Sequence, residues 1–151
     1  MCGLAGIFAQ AQPRPELEAW SRSMADAIAY RGPDDAGVWV DPAAGLALAR
    51  RRLAILDLSP AGHQPMASAS GRYVIAFNGE IYNHLALRQE LRGPWRGHSD
   101  TETLLAAIEA WGLEAALQRC AGMFARPPGP PLPGRANLRM DQTNSKNALL
   151  R

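Results

Sequence analysis

Lysine is almost absent from these 151 residues: Lys146 is the only one, and arginine supplies the rest of the 16 basic side chains. Cysteine occurs twice, as Cys2 and Cys120, too few for a disulfide framework, so a reducing cytoplasm is the expected compartment. No apolar run approaches the ~20 residues that cross a bilayer, so no membrane partner is expected. The apolar stretch Gly3–Phe8 has no basic residue ahead of it, which argues against a secretion signal. His63, His84 and His98 share no ligand spacing with either cysteine, so no metal site is expected. No internal repeat is visible. What is there is 47% apolar and 20% charged, a globular composition with length enough for one domain and its core.

The formal charge of +2 hides two unlike pieces. Residues 1–125 carry 11 Arg against 13 Asp or Glu, a net of −2, while residues 126–151 carry four Arg, one Lys and one Asp, a net of +4. Five of the 12 prolines fall between Pro127 and Pro133. Such a run has few backbone donors and no alternating apolar pattern, so 126–151 is expected to be a stiff or disordered basic tail. The basic excess belongs to that tail, and nucleic acid is not an expected partner of the body.

Within the body, Gly3–Ala9 fits a buried strand. Residues 16–29 place Leu17, Trp20, Met24 and Ile28 at helical spacing, which predicts an amphipathic helix with those four inward. Arg31-Gly32-Pro33-Asp34-Asp35 breaks it. Strands are predicted over 37–40, over 45–58 (bent or split at the arginines) and over 73–77. Helices are predicted over 83–91, from the Ser99-Asp100-Thr101-Glu102 capping box to Trp111, and then to about Cys120. Strands and helices segregated in this way predict an α+β fold.

Several residues could carry chemistry. Methionine before a small residue is commonly trimmed, which would give Cys2 a free α-amine; nucleophile and base then sit on one residue. The plain alternative is a small buried side chain opening a strand. Asn78-Gly79 follows an apolar strand and reads either as a turn or as an oxyanion hole made of the Asn78 amide and the Gly79 N–H. Arg50-Arg51-Arg52 reads as a solvated strand edge or a nucleic-acid patch, the latter weakly without interleaved aromatics; period two puts Arg50 and Arg52 on one face and Arg51 on the other. An arginine fixed in a sheet can grip a carboxylate with two hydrogen bonds. Asp100 is either a helix-start carboxylate or a ligand for an ammonium group.

Six stretches taken in order resemble the glutaminase domain of class II glutamine amidotransferases, asparagine synthetases (glutamine-hydrolysing) most closely. They are Met1-Cys2-Gly3-Leu4-Ala5-Gly6-Ile7-Phe8, Arg31-Gly32-Pro33-Asp34, Arg52-Leu53-Ala54-Ile55-Leu56-Asp57-Leu58, Gly62-His63-Gln64-Pro65-Met66, Phe77-Asn78-Gly79-Glu80-Ile81-Tyr82-Asn83 and Ser99-Asp100-Thr101-Glu102. The resemblance implies an N-terminal nucleophile hydrolase fold, an αββα sandwich of antiparallel sheets. It implies that Cys2 attacks the glutamine side-chain amide, that Asn78 and Gly79 hold the oxyanion, and that Arg52 holds the substrate α-carboxylate. Glu80 and Asp100 would hold the α-ammonium, and Leu53, Ala54, Ile55 and Leu56 would line the pocket. No cofactor is implied in this domain; ATP and magnesium belong to a synthetase domain, the expected partner, for which the sequence offers no phosphate loop.

Tyr30 and Ala54 stand where the resemblance leads one to expect histidine and serine. Past Ala125 the chain enters its prolines, which cannot donate to a sheet ladder, so it is expected to be a shortened relative whose sandwich is incomplete at the carboxy-terminal side. Three functions remain open on the residues: a glutaminase feeding ammonia to a separate synthetase, an inactive glutamine- or partner-binding module, and a fragment without function.

Overall fold

The computed structural model describes residues 2–53, 60–124 and 148–150. Strand β1 (Gly3–Phe8) is followed by helix α1 (Arg14–Ala27), then by the hairpin β2 (Asp35–Asp41) and β3 (Leu46–Arg52). β3 is central, antiparallel to β1 on one side and to β2 on the other. A second sheet has the short β4 (Met66–Ala67) and then β5 (Val74–Phe77), with β8 (Ala148–Leu150) on the far edge of β5. Between them in sequence, β6 (Glu80–Ile81) pairs with β7 (Gly122–Met123). Helices α2 (His84–Leu91), α3 (Asp100–Trp111) and α4 (Leu113–Arg119) complete the described chain.

Period-two alternation explains how these elements stack. Ala5, Ala47 and Ala49 turn to one face of the first sheet, where Leu17 and Ala25 of α1 cover them. Leu46 and Leu48 turn to the other face and meet Val74 and Ala76 of β5. The opposite face of β5, Ile75 and Phe77, packs against Leu87, Leu104, Leu105 and Ile108 of α2 and α3. The layers therefore run helix, sheet, sheet, helices, an α+β architecture as the segregated pattern predicts.

Three sequence expectations are corrected. Helix α1 buries Leu17, Ser21 and Ala25, whereas Trp20 and Met24 stay 45% and 39% exposed. Small residues win because α1 lies close on an alanine-rich sheet face, and the Ser21 hydroxyl is satisfied by the Leu17 carbonyl at 2.7 Å. β3 runs unbroken through all three arginines to Arg52. The tail also contributes more than expected: Ala148–Leu150 pairs antiparallel with β5. Its Ala-Leu-Leu lies well beyond Pro133 and keeps the N–H donors that the proline run lacks. The predicted pocket residues Ala54, Ile55 and Leu56 lie outside the described residues.

Candidate functional site

The site forms where β1 begins, β3 ends and β5 runs into β6. Cys2, half-buried, precedes β1 by one residue, and the β1–β3 register sets Gly3 opposite Arg51. That pairing brings the sulfur beside the end of β3. Cys2 Sγ accepts from the Leu53 N–H at 3.4 Å and from Arg50 Nη2 at 3.3 Å, and lies 3.6 Å from the Leu53 carbonyl. Across the gap between the sheets, Asn78 Nδ2 donates to the Cys2 carbonyl at 3.0 Å. A carboxamide nitrogen has two donors, so this bond fixes the Asn78 side chain and leaves its second N–H for another acceptor.

Asn78-Gly79 closes no hairpin: β5 pairs with β4 and β8, while β6 pairs with β7 in a different sheet. Asn78-Gly79 is therefore not the turn of a β-hairpin. Gly79 is required for close approach, because a Cβ there would collide with the Phe77 ring. Two side chains hold this segment. Gln64, 3% exposed, accepts from the Phe77 N–H at 2.7 Å and donates to Thr101 Oγ1 at 3.0 Å. Asp100 accepts from the Ile81 N–H at 2.8 Å and from the Thr101 N–H at 2.8 Å. Both tie the strand end to the start of α3, where Ser99 Oγ accepts from the Glu102 N–H at 3.2 Å as the capping pattern predicts.

Of the predicted site residues, Cys2, Leu53 and Asn78 meet directly. Asp100 is in place at the helix start, one residue's reach from Glu80 through its bond to Ile81. Glu80, half-buried, opens β6 opposite Met123. Arg52 sits opposite Asp35 on β2, its guanidinium pressed over Gly62, where a Cβ would lie 2.6 Å from Nη2. The alternation of the arginines is as read from the sequence. Arg51 turns to the α1 side and pairs with Asp26 at 3.4 Å, while Arg50 turns inward to the sulfur.

Two residues here were given no role of their own by the sequence reading. Gln64 is one; a buried amide bridging two elements leaves no local pattern beyond its place in the Gly62–Met66 stretch. Arg50 is the other, and period two does place it on the face of Arg52. Burial pushes its guanidinium down from the usual arginine range; Arg52 adds to that, while Cys2 and Asp100 pull it back up. Among the described residues no three His, Cys, Asp or Glu side chains gather as a metal site, and no helix is long and apolar enough to cross a membrane.

Residues 1–126 match the family model for a glutamine amidotransferase domain. Similar curated proteins include a putative asparagine synthetase [glutamine-hydrolyzing] of Mycobacterium tuberculosis, 40% identical over 83% of this chain and 21% of its own length. Asparagine synthetase [glutamine-hydrolyzing] 2 of Bacillus subtilis is 41% identical, over 83% of this chain and 17% of its own. Asparagine synthetase B [glutamine-hydrolyzing] of Escherichia coli is 38% identical, over 83% and 22%. The chain thus spans about a fifth of the length of these relatives.

Proposed function

Because this chain belongs to the glutamine amidotransferase domain family, we propose that it hydrolyses the side-chain amide of glutamine to glutamate and ammonia, with Cys2 as the nucleophile. The observation that carries the reading is the Cys2 sulfur cradled by the Arg50 guanidinium and the Leu53 N–H, with the Asn78 amide 3.0 Å from the carbonyl of the same residue. The helix–sheet–sheet–helix layering supports an N-terminal nucleophile hydrolase sandwich.

In this reading Met1 is removed, and the freed amine of Cys2 takes the thiol proton as sulfur attacks the amide carbon. The second N–H of Asn78 and the Gly79 N–H hold the oxyanion. Ammonia leaves with the proton, and water then releases glutamate from the thioester. Arg52 holds the α-carboxylate, and Glu80 and Asp100 hold the α-ammonium, a fixed cation and two anions suited to a zwitterion. Leu53 and Ala54, Ile55 and Leu56 after it line the same pocket. No cofactor takes part in this domain; the ammonia serves a synthetase domain or subunit, and a reducing cytoplasm suits the free thiol.

The test is glutamate release from glutamine by the purified protein, with intact mass giving the mature N-terminus. Release by a chain beginning at Cys2 is the expected result. A retained Met1 with no release and no thermal shift by glutamine would overturn the reading. Asn78→Ala should lower kcat by about 10²–10³ with KM little changed, the usual cost of one oxyanion donor. A loss in KM alone would assign Asn78 to ground-state binding.

A further inference from the structure

Arg50 is 8% exposed on the face of β3 that looks toward the second sheet, opposite Leu4 of β1 and Gly37 of β2. Its Nη2 reaches Cys2 Sγ at 3.3 Å, and its buried Nε has no hydrogen-bond partner. Among the described residues no carboxylate lies within ion-pair distance of it. A guanidinium kept charged in so dry a place normally carries a bidentate carboxylate. Among the described residues its side-chain donor contact is to sulfur. That is poor compensation for a thiol and good compensation for an anion. Arg51 and Arg52 cannot stand in: one is paired with Asp26 behind the sheet, the other lies against Gly62.

We propose that Arg50 is a further catalytic residue, stabilising the negative charge on Cys2 Sγ when the sulfur attacks and again when it leaves the thioester. The assignment rests on the reading of Cys2 as the nucleophile. In the first step the S–C bond forms, the C–N bond breaks and the thiol proton departs with ammonia. In the second, water adds to the carbonyl carbon, the C–S bond breaks and its electron pair returns to Sγ against the Arg50 N–H. One proton from that water goes back to sulfur by way of the α-amine. A neutral side chain at 50 leaves the returning pair without its donor.

Iodoacetamide tests this without glutamine, since the new S–C bond forms as the C–I bond breaks and iodide leaves. Alkylation at neutral pH is followed at Cys2 and Cys120 separately by peptide mass spectrometry in the native chain, Arg50→Met and Arg50→Lys. Cys120 is the internal reference for general loosening, its thiol pushed up by burial and by the Asp100 carboxylate. The expected result is a Cys2 rate roughly tenfold or more lower in Arg50→Met, the scale of a lost charge-assisted hydrogen bond. Arg50→Lys should restore most of it, with Cys120 unchanged throughout. A Cys2 rate in Arg50→Met equal to or above the native one overturns the proposal, as does a lysine variant no faster than the methionine one. If Arg50→Met does not fold, Arg50→Gln replaces it. Glutamate release measured on the same samples separates the two readings. A native chain with an Arg50-dependent sulfur and no release refutes the glutaminase and keeps the Arg50 effect.

Discussion

Cys2→Ala should abolish glutamate release, a fall on the order of 10⁴–10⁶ by the scale of nucleophile deletions in other covalent hydrolases, while glutamine still raises the Tm. The reason lies in how the site divides its work. In the proposed reaction the sulfur makes the covalent bond, yet the groups proposed for the zwitterion, Arg52, Glu80 and Asp100, are set by β3, β6 and α3 and do not depend on Cys2 Sγ. The Asn78 bond goes to the Cys2 carbonyl and survives the substitution. Ligand at about 100 times its Kd stabilises a fold by roughly 2.7 kcal/mol, so retained binding is readable as a shift in Tm. Residual release within tenfold of native would show that the nucleophile lies elsewhere. Cys2→Ser is the closer control, since a hydroxyl can still accept from Arg50 and Leu53.

Glu102→Ala should cost about 3–5 kcal/mol of stability, the range for breaking a buried ion pair from one side, read from urea denaturation. Glu102, 6% exposed, sits in the first turn of α3. It accepts from the Arg96 N–H at 2.8 Å, the Gly97 N–H at 3.1 Å and Arg88 Nη2 at 3.2 Å. Arg88 is also held by Thr103 Oγ1 at 2.7 Å and the carbonyls of Gly97 and Ser99 at 2.8 and 2.9 Å, and it lies 4.2 Å from the Trp95 ring centroid. Removing the carboxylate leaves this buried cation without its counter-charge and two backbone donors without their acceptor. Glu102→Gln keeps the acceptor and loses the charge, so its cost should be clearly smaller. Equal losses in the two variants would show that charge pairing contributes nothing. The network braces the turn carrying Asp100, and hence the bond from Asp100 to the strand after Asn78-Gly79.

What could be read along the chain was what repeats along it. The apolar runs of β1 and β5, the helical span of α3 and the Ser99 cap all follow from short-range patterns and local hydrogen bonds. So does the splitting of the three arginines between two faces. The inward face of α1 was not legible in that way. Trp20 and Met24 have the better apolar character, yet Ser21 and Ala25 are buried, because the sheet beneath presents alanines and admits only a close approach. Hydrophobic pattern measures what a residue prefers and says nothing of the room it will find.

By itself, then, the sequence determined the order of the longer elements, their α+β character, the six stretches that mark the family, and the presence of Cys2 and Asn78-Gly79 as candidates. The tertiary structure alone decided that Asn78-Gly79 joins two different sheets and closes no hairpin, that Gln64 and Asp100 lock that joint to α3, and that Arg50 meets the sulfur. Each of these depends on strand register and on layers closing over one another. Residues 48 or more positions apart, such as Cys2 and Arg50, become neighbours only when β1 pairs with β3. No local period encodes that pairing.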